Sequence, residues 1–315
     1  MSKHSFTAFS LAQIELGSNK LCLAAVDYIG RGIYAAEGIN AIASAISASD
    51  ALTSIDISNN YIRHSYAKHL AVGISVSESL TSINLEDNQL ADEGAEHIAE
   101  GIADSTSLTS INLAKNWMRS TGAKHIANGI SASASLKSII LARNWIQSEG
   151  AEHIANGISV SASLTNIDLC CNGLGPEGAT HIANGISASA SLTNIDLSNN
   201  NFTDFGKDMI GVKALAEAIK FSASLTSIDL GKNQLRDEGA KYITEGIAVS
   251  TSLASINLTE NHIECEGAKH IANGIYESVS LTYINLGCNE IGPNGGKSIA
   301  DVISVSASLT QVLDF

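Results

Sequence analysis

Ten times in this chain an asparagine stands eight residues after a leucine, and most successive units are 28 residues apart. The leucines are Leu11, Leu52, Leu80, Leu108, Leu136, Leu164, Leu192, Leu225, Leu253 and Leu281, and Leu309 opens an eleventh unit. The asparagines are Asn19, Asn60, Asn88, Asn116, Asn144, Asn172, Asn200, Asn233, Asn261 and Asn289. A fixed period of this length means that one supersecondary unit is written over and over. A single unit is too short to bury its own apolar face, so the units must stack.

The unit has two halves with different periodicities. Leu80–Leu85 reads LTSINL, with polar and apolar residues alternating as in a half-buried strand. Farther on, Ala95, Ile98, Ala99 and Ile102 recur at the spacing of one helical stripe. Each unit is therefore a strand, a turn, a helix and a return. Paired strands sit about 4.8 Å apart and packed helices about 8–10 Å, so stacking forces the helices to the outside of a curve. The expected fold class is an α/β solenoid, a horseshoe with parallel strands on the concave face and helices on the convex face. It holds about ten repeats plus a terminal strand. The repeated asparagine fits a buried turn, where its amide satisfies backbone groups left at each strand end. Glycine recurs within the helices at Gly73, Gly101, Gly129, Gly157, Gly185, Gly246 and Gly274. Each costs about 1 kcal/mol relative to Ala, which implies close helix–helix contact. The Ser-Ala-Ser tracts, such as Ser131–Ser135, occupy the return and are not linkers.

The pattern L-x-x-I-x-L-x-x-N-x-I-x-x-x-G-A-x-x-I-A-x-x-I resembles the ribonuclease-inhibitor-type leucine-rich repeat, over about residues 11–315. Similar repeats build ribonuclease inhibitor, the sensor regions of NACHT receptors, the Ran GTPase-activating protein and several bacterial effectors. The resemblance implies a non-catalytic protein-binding module, an effector or adaptor, and leaves the partner open because one scaffold serves many partners. Its enzymatic alternative is a GTPase activator like that of Ran, with Arg63, Arg119 and Arg236 in candidate loops, although the activator's functional loops find no match.

The expected organisation is one domain over 1–315. Residues 1–10 form a short cap carrying Phe6 and Phe9, 11–308 form ten repeats, and 309–315 form a partial repeat. Two units break the period: Leu11 to Leu52 spans 41 residues and Leu192 to Leu225 spans 33. Aligning the helices places the insertions near 20–37 and 201–210, between the asparagine and the helix. Insertions in solenoids map to loops on one edge, often beside the ligand. The exposed terminal strands suggest a monomer or a weak end-to-end dimer.

A net charge of -14 argues against nucleic acid and anionic membranes and favours a partner with a basic surface. No run of about 18 apolar residues suggests a membrane span. Five cysteines with no C-x-x-C pair point to a reducing compartment, the cytoplasm, or a host cytosol if the source is an intracellular bacterium. No cofactor, metal or catalytic constellation is expected.

At the central polar position, between the buried aliphatics of each unit's L-x-x-I-x-L segment, the residues read Glu15, Asp56, Asn84, Asn112, Ile140, Asp168, Asp196, Asp229, Asn257 and Asn285. The run Asp168, Asp196, Asp229 on neighbouring strands is repulsive unless water or a basic ligand neutralises it. Beside it, Lys115 and Trp117 flank one asparagine, and Arg143 and Trp145 flank the next. Tyr61 holds the same position as the tryptophans two units before Trp117. Trp and Arg are common interface anchors, although aromatics here could equally shield turns. Tyr61, Lys115, Trp117, Ile140, Arg143, Trp145, Asp168, Asp196 and Asp229 are the candidate partner-binding residues. A histidine column (His69, His97, His125, His153, His181, His270) reads as a convex packing position, and Cys170-Cys171 as a structural pair with latent redox or soft-metal chemistry.

Overall fold

The computed structural model describes residues 12–26, 32–34, 36–306 and 308–313. Alternation is used sparingly, since each strand of the main sheet is only three residues long with a central aliphatic residue turned inward. The first unit holds β1 (Gln13–Glu15), a small ribbon of β2 (Leu23–Val26) and β3 (Gly32–Tyr34), and helix α1 (Glu37–Ala48). Strand and helix then alternate: β4 (Ser54–Asp56), α2 (Arg63–Val76), β5 (Ser82–Asn84), α3 (Ala91–Asp104), β6 (Ser110–Asn112), α4 (Ser120–Ala132), β7 (Ser138–Ile140) and α5 (Gln147–Val160). The pattern continues through β8 (Asn166–Asp168), α6 (Gly175–Ala188), β9 (Asn194–Asp196), α7 (Ile210–Phe221), β10 (Ser227–Asp229) and α8 (Arg236–Val249). It closes with β11 (Ser255–Asn257), α9 (Cys265–Glu277), β12 (Tyr283–Asn285), α10 (Gly292–Ile303) and β13 (Gln311–Leu313). The residues assigned to an N-terminal cap, Phe6 and Phe9 included, lie outside the described residues.

β1 and β4 to β13 form one open parallel sheet in chain order, each strand beside the strand of the next unit. Equivalent residues pair directly, as Ile83 with Ile111 and Ile139 with Ile167, so repeat position and sheet register coincide. The central isoleucines from Ile55 to Ile284 are buried beneath the sheet, where they meet Leu85, Leu113, Leu141 and helix residues Ile98, Ile126 and Ile154. Full burial of such a side chain stabilises by about 1.5–3 kcal/mol, and stacking supplies the second wall that each unit lacks.

The asparagine column forms a continuous ladder. The Asn88 N–H donates to Asn116 Oδ1 at 3.0 Å, while Asn88 Nδ2 donates to the Ile57 and Leu85 carbonyls at 3.0 Å each. The same link runs from the Asn19 N–H to Asn60 Oδ1, through every unit, to the Asn261 N–H and Asn289 Oδ1. A second ladder explains the serine tracts. Ser107 Oγ donates to the Ser77 and Leu80 carbonyls at 2.7 and 2.8 Å, while the Leu80 N–H donates to Ser77 Oγ at 3.2 Å. From β4 to β12 both ends of each strand are thus met by small polar side chains.

Glycine sets the helix spacing. A Cβ on Gly101 would lie 2.9 Å from the Ala71 carbonyl oxygen and 3.0 Å from Ala71 Cα in the preceding helix. The insertions differ from each other. Residues within 20–37 make the antiparallel ribbon, pairing Leu23 with Tyr34 and Val26 with Gly32. Residues 201–210 fold back instead: Phe202 and Thr203 are buried, and Thr203 Oγ1 donates to the Gln234 carbonyl at 3.0 Å. Phe205 on that loop and Ile210 at the start of α7 are left exposed.

Candidate partner-binding surface

The sheet register carries Ile140, Asp168, Asp196 and Asp229 onto four adjacent strands, β7 to β10. They line one shallow depression of about 310 Å³, with Ser138, Asn166, Asn194 and Ser227 in the parallel row. Each carboxylate is oriented by the backbone two residues ahead, with the Cys170, Ser198 and Gly231 N–H groups each donating at 2.8 Å. Asp229 also accepts from Asn257 Nδ2 at 2.8 Å.

The row is electrostatically uneven. Burial pushes the Asp168 carboxyl above the usual carboxylate range, against the Cys170 N–H, and the charges of Asp196 and Asp229 push it further. Asp229 is raised mainly by burial and then by Asp196, although Gly231 and Asn257 donate to it. Asp56, in the same row but beside Asn84, is the contrast. Burial acts on it too, yet bonds from Ser58 and Asn84 outweigh burial and hold it below its ordinary value. Donors beside a carboxylate stabilise its charge and other carboxylates do the reverse.

The aromatic residues lie on the strand-to-helix edge. Trp117 is 45% exposed and Trp145 is 54% exposed, in successive turns. Their backbones differ despite equivalent positions: Trp117 is left-handed (φ 63°), whereas in the next unit the left-handed residue is Gln147 (φ 57°). Trp145 lines a recess of about 430 Å³ with Cys171, Leu174 and Pro176. Lys115 is engaged, its Nζ 2.6 Å from Glu86 Oε1. Arg143 is exposed, with its backbone N–H on the Cys170 carbonyl. Tyr61 stands apart on its own left-handed turn (φ 58°), separated from Trp117 by the unit that carries Gln89. The structure therefore joins Ile140 to the three aspartates and gathers Lys115, Trp117, Arg143 and Trp145 in neighbouring turns, leaving Tyr61 outside both groups.

Other sequence candidates separate. Arg63 and Arg236 open α2 and α8 and Arg119 precedes α4, in non-adjacent units, and Arg236 packs against Gly206. The histidines from His97 to His181 and His270 are half-buried and His69 is exposed, all on the helix layer. Among the described residues no group of three or more His, Cys, Asp or Glu is placed to hold a metal. Nor is any helix among them long and apolar enough to cross a membrane. Sequence reasoning missed the inter-unit caps, in which Asp92 Oδ1 accepts the Arg119 and Gly122 N–H groups at 2.7 and 3.0 Å. An acidic residue near the start of the preceding helix was the available signal.

A leucine-rich-repeat family model matches residues 76–99, 104–127, 132–155, 221–243 and 277–300, and a second one matches 191–212. Each of these segments spans one strand and the first part of the helix that follows it. The chain is a leucine-rich-repeat protein. Among solved structures, this repeat protein is similar to the leucine-rich-repeat-containing protein LegL7 from Legionella pneumophila, at 17% identity and a TM-score of 0.60. That match covers 95% of this chain and 89% of the other. The tropomodulin C-terminal domain of Caenorhabditis elegans matches at 15% identity and a TM-score of 0.38, covering 57% of this chain and 90% of the other. Comparison with curated protein sequences gives no match. Leucine-rich-repeat proteins generally mediate protein–protein interaction and are generally non-catalytic.

Proposed function

We propose that this leucine-rich-repeat protein binds a protein partner through the strand face and strand-to-helix edge of its middle units, and that the partner presents a basic segment. The carrying observation is the crowded row Asp168, Asp196, Asp229 beside the apolar Ile140, together with two exposed tryptophans on the strand-to-helix edge of successive units. A lysine or arginine laid over the row offsets the mutual repulsion that folding alone leaves in place, and its aliphatic stem covers Ile140. Trp117 and Trp145 anchor the partner's apolar side chains, with Lys115 and Arg143 on the rim, and Tyr61 extends the surface toward the N-terminal units. The net charge of -14 speeds encounter with a basic partner. Five free cysteines fit an effector or adaptor working in a reducing cytoplasm, as a monomer or a weak end-to-end dimer.

The test is affinity capture with the wild type beside Trp117→Ala/Trp145→Ala and Asp168→Asn/Asp196→Asn/Asp229→Asn, each confirmed to be folded. One partner lost by both variants, and weakened from 50 to 200 mM salt, is expected. An identical partner set for all three proteins sinks the assignment. Sedimentation over a concentration series decides between monomer and end-to-end dimer.

A further inference from the structure

In an extended strand, consecutive side chains point to opposite faces, so adjacent cysteines ordinarily hold their sulfurs apart. Cys170 and Cys171 do not: their Sγ atoms are 3.0 Å apart. The cause is the turn, since Cys171 has a left-handed backbone (φ 59°) that ends the strand alternation. Lys115, Arg143 and Asn199 hold the same position with φ of 55°, 56° and 56°, so the repeat, and not the cysteines, imposes the geometry. Both thiols are half-exposed, Cys171 lines the recess beside Trp145, and Asn199 Nδ2 lies 3.0 Å from its sulfur.

We propose that Cys170 and Cys171 are a reversible oxidation site, closing to a disulfide between neighbouring residues when a low-molecular-weight disulfide reaches the recess. Cys171, as its thiolate, attacks one sulfur of the incoming disulfide; that S–S bond breaks, and the departing thiolate takes up the proton that Cys171 released. Cys170 then loses its proton and attacks Cys171 Sγ. The mixed disulfide breaks, and the second small thiolate leaves with that proton. The protein dithiol is oxidised by two electrons and the external disulfide is reduced to two thiols. Burial pushes the Cys170 thiol up to about 12, so Cys170 keeps its proton at neutral pH and acts second. Its proximity makes ring closure faster than a second encounter in solution. Adjacent Cα atoms lie about 3.8 Å apart, below the 4.4–6.8 Å usual for disulfides, so the closed ring is strained and readily reopened by dithiols.

The full chain is treated with oxidised glutathione, quenched by alkylation, and read by intact mass and peptide mapping. The peptide carrying Cys170 and Cys171 is expected to lose two hydrogens, carry no glutathione, resist alkylation and recover with dithiothreitol. Cys288, exposed in the same turn position but preceded by Gly287, serves as internal control and is expected to hold a stable glutathione adduct. In Cys170→Ser the adduct should persist on Cys171. The proposal is overturned if wild-type Cys171 retains glutathione as Cys288 does, or if both thiols stay alkylatable. The wild-type reading decides by itself, without any bound partner and whether or not the variant folds.

Discussion

Asp196 sits between Asp168 and Asp229 and contributes repulsion to both. Like charges facing one another across strands destabilise by roughly 0.2–1 kcal/mol per pair. Asp196→Asn keeps an oxygen for the Ser198 N–H and removes the charge, so it should stabilise the fold by about 0.5–1 kcal/mol in urea unfolding at pH 7. The pH dependence follows from the direction of the shifts. With their folded-state values raised, Asp168 and Asp229 bind more protons folded than unfolded as pH rises above the ordinary 3.8, so stability falls through that window. Asp56 has the opposite sign: its lowered value stabilises above 3.8 and that contribution is lost on acidification. Asp168→Asn/Asp229→Asn should therefore abolish the decline above 3.8 while leaving the acid-side loss from Asp56; an unchanged pH profile refutes this account. At the other end of the polarity scale, Asn144 Oδ1 accepts from Asn116 and Met118, and Nδ2 donates to the Leu113 and Leu141 carbonyls. Asn144→Ala orphans buried groups at about 1–3 kcal/mol each, so a loss of about 3 kcal/mol or more is expected in the same assay.

At the scale of elements, glycine separates helix propensity from packing. Gly157 in α5 meets the Ala127 carbonyl oxygen of α4 at 2.9 Å from an added Cβ, whereas Gly296 in α10 meets nothing within 4 Å. Both substitutions to Ala gain about 1 kcal/mol of helix propensity. Overpacking costs typically 1–3 kcal/mol, so Gly157→Ala should lower the melting temperature and Gly296→Ala should raise it. The sequence revealed the glycine column as a repeated unfavourable choice and thereby a close contact. It did not reveal that the contact is with backbone, which cannot give way as a side chain can. Likewise the excess length at 201–210 was legible, yet its inward Phe202 was not, because burial of an insertion depends on the neighbouring unit it folds against.

Across the whole molecule, stability is approximately a sum of units and their interfaces, so a surface change in one turn stays local. Trp117→Ala/Trp145→Ala removes half-exposed side chains from two turns and should leave the unfolding midpoint within about 0.5 kcal/mol of wild type for each site while abolishing capture of the partner. A large shift in melting would instead assign the indoles to shielding the turns. The period by itself determined the architecture: with each residue's neighbour in the next strand one unit away, the asparagine ladder, the buried isoleucines and the shared row of Ile140 with three aspartates were readable from spacing. Only the tertiary structure decided what those neighbours do to one another. It crowds Asp168 and Asp229 while hydrogen bonds relieve Asp56, ties Lys115 to Glu86, gives Trp117 and Trp145 different backbones, and turns Cys171 toward Cys170. Spacing fixes which residues are adjacent; burial, donor geometry and the handedness of a turn fix their chemistry, and these exist only once the units have stacked.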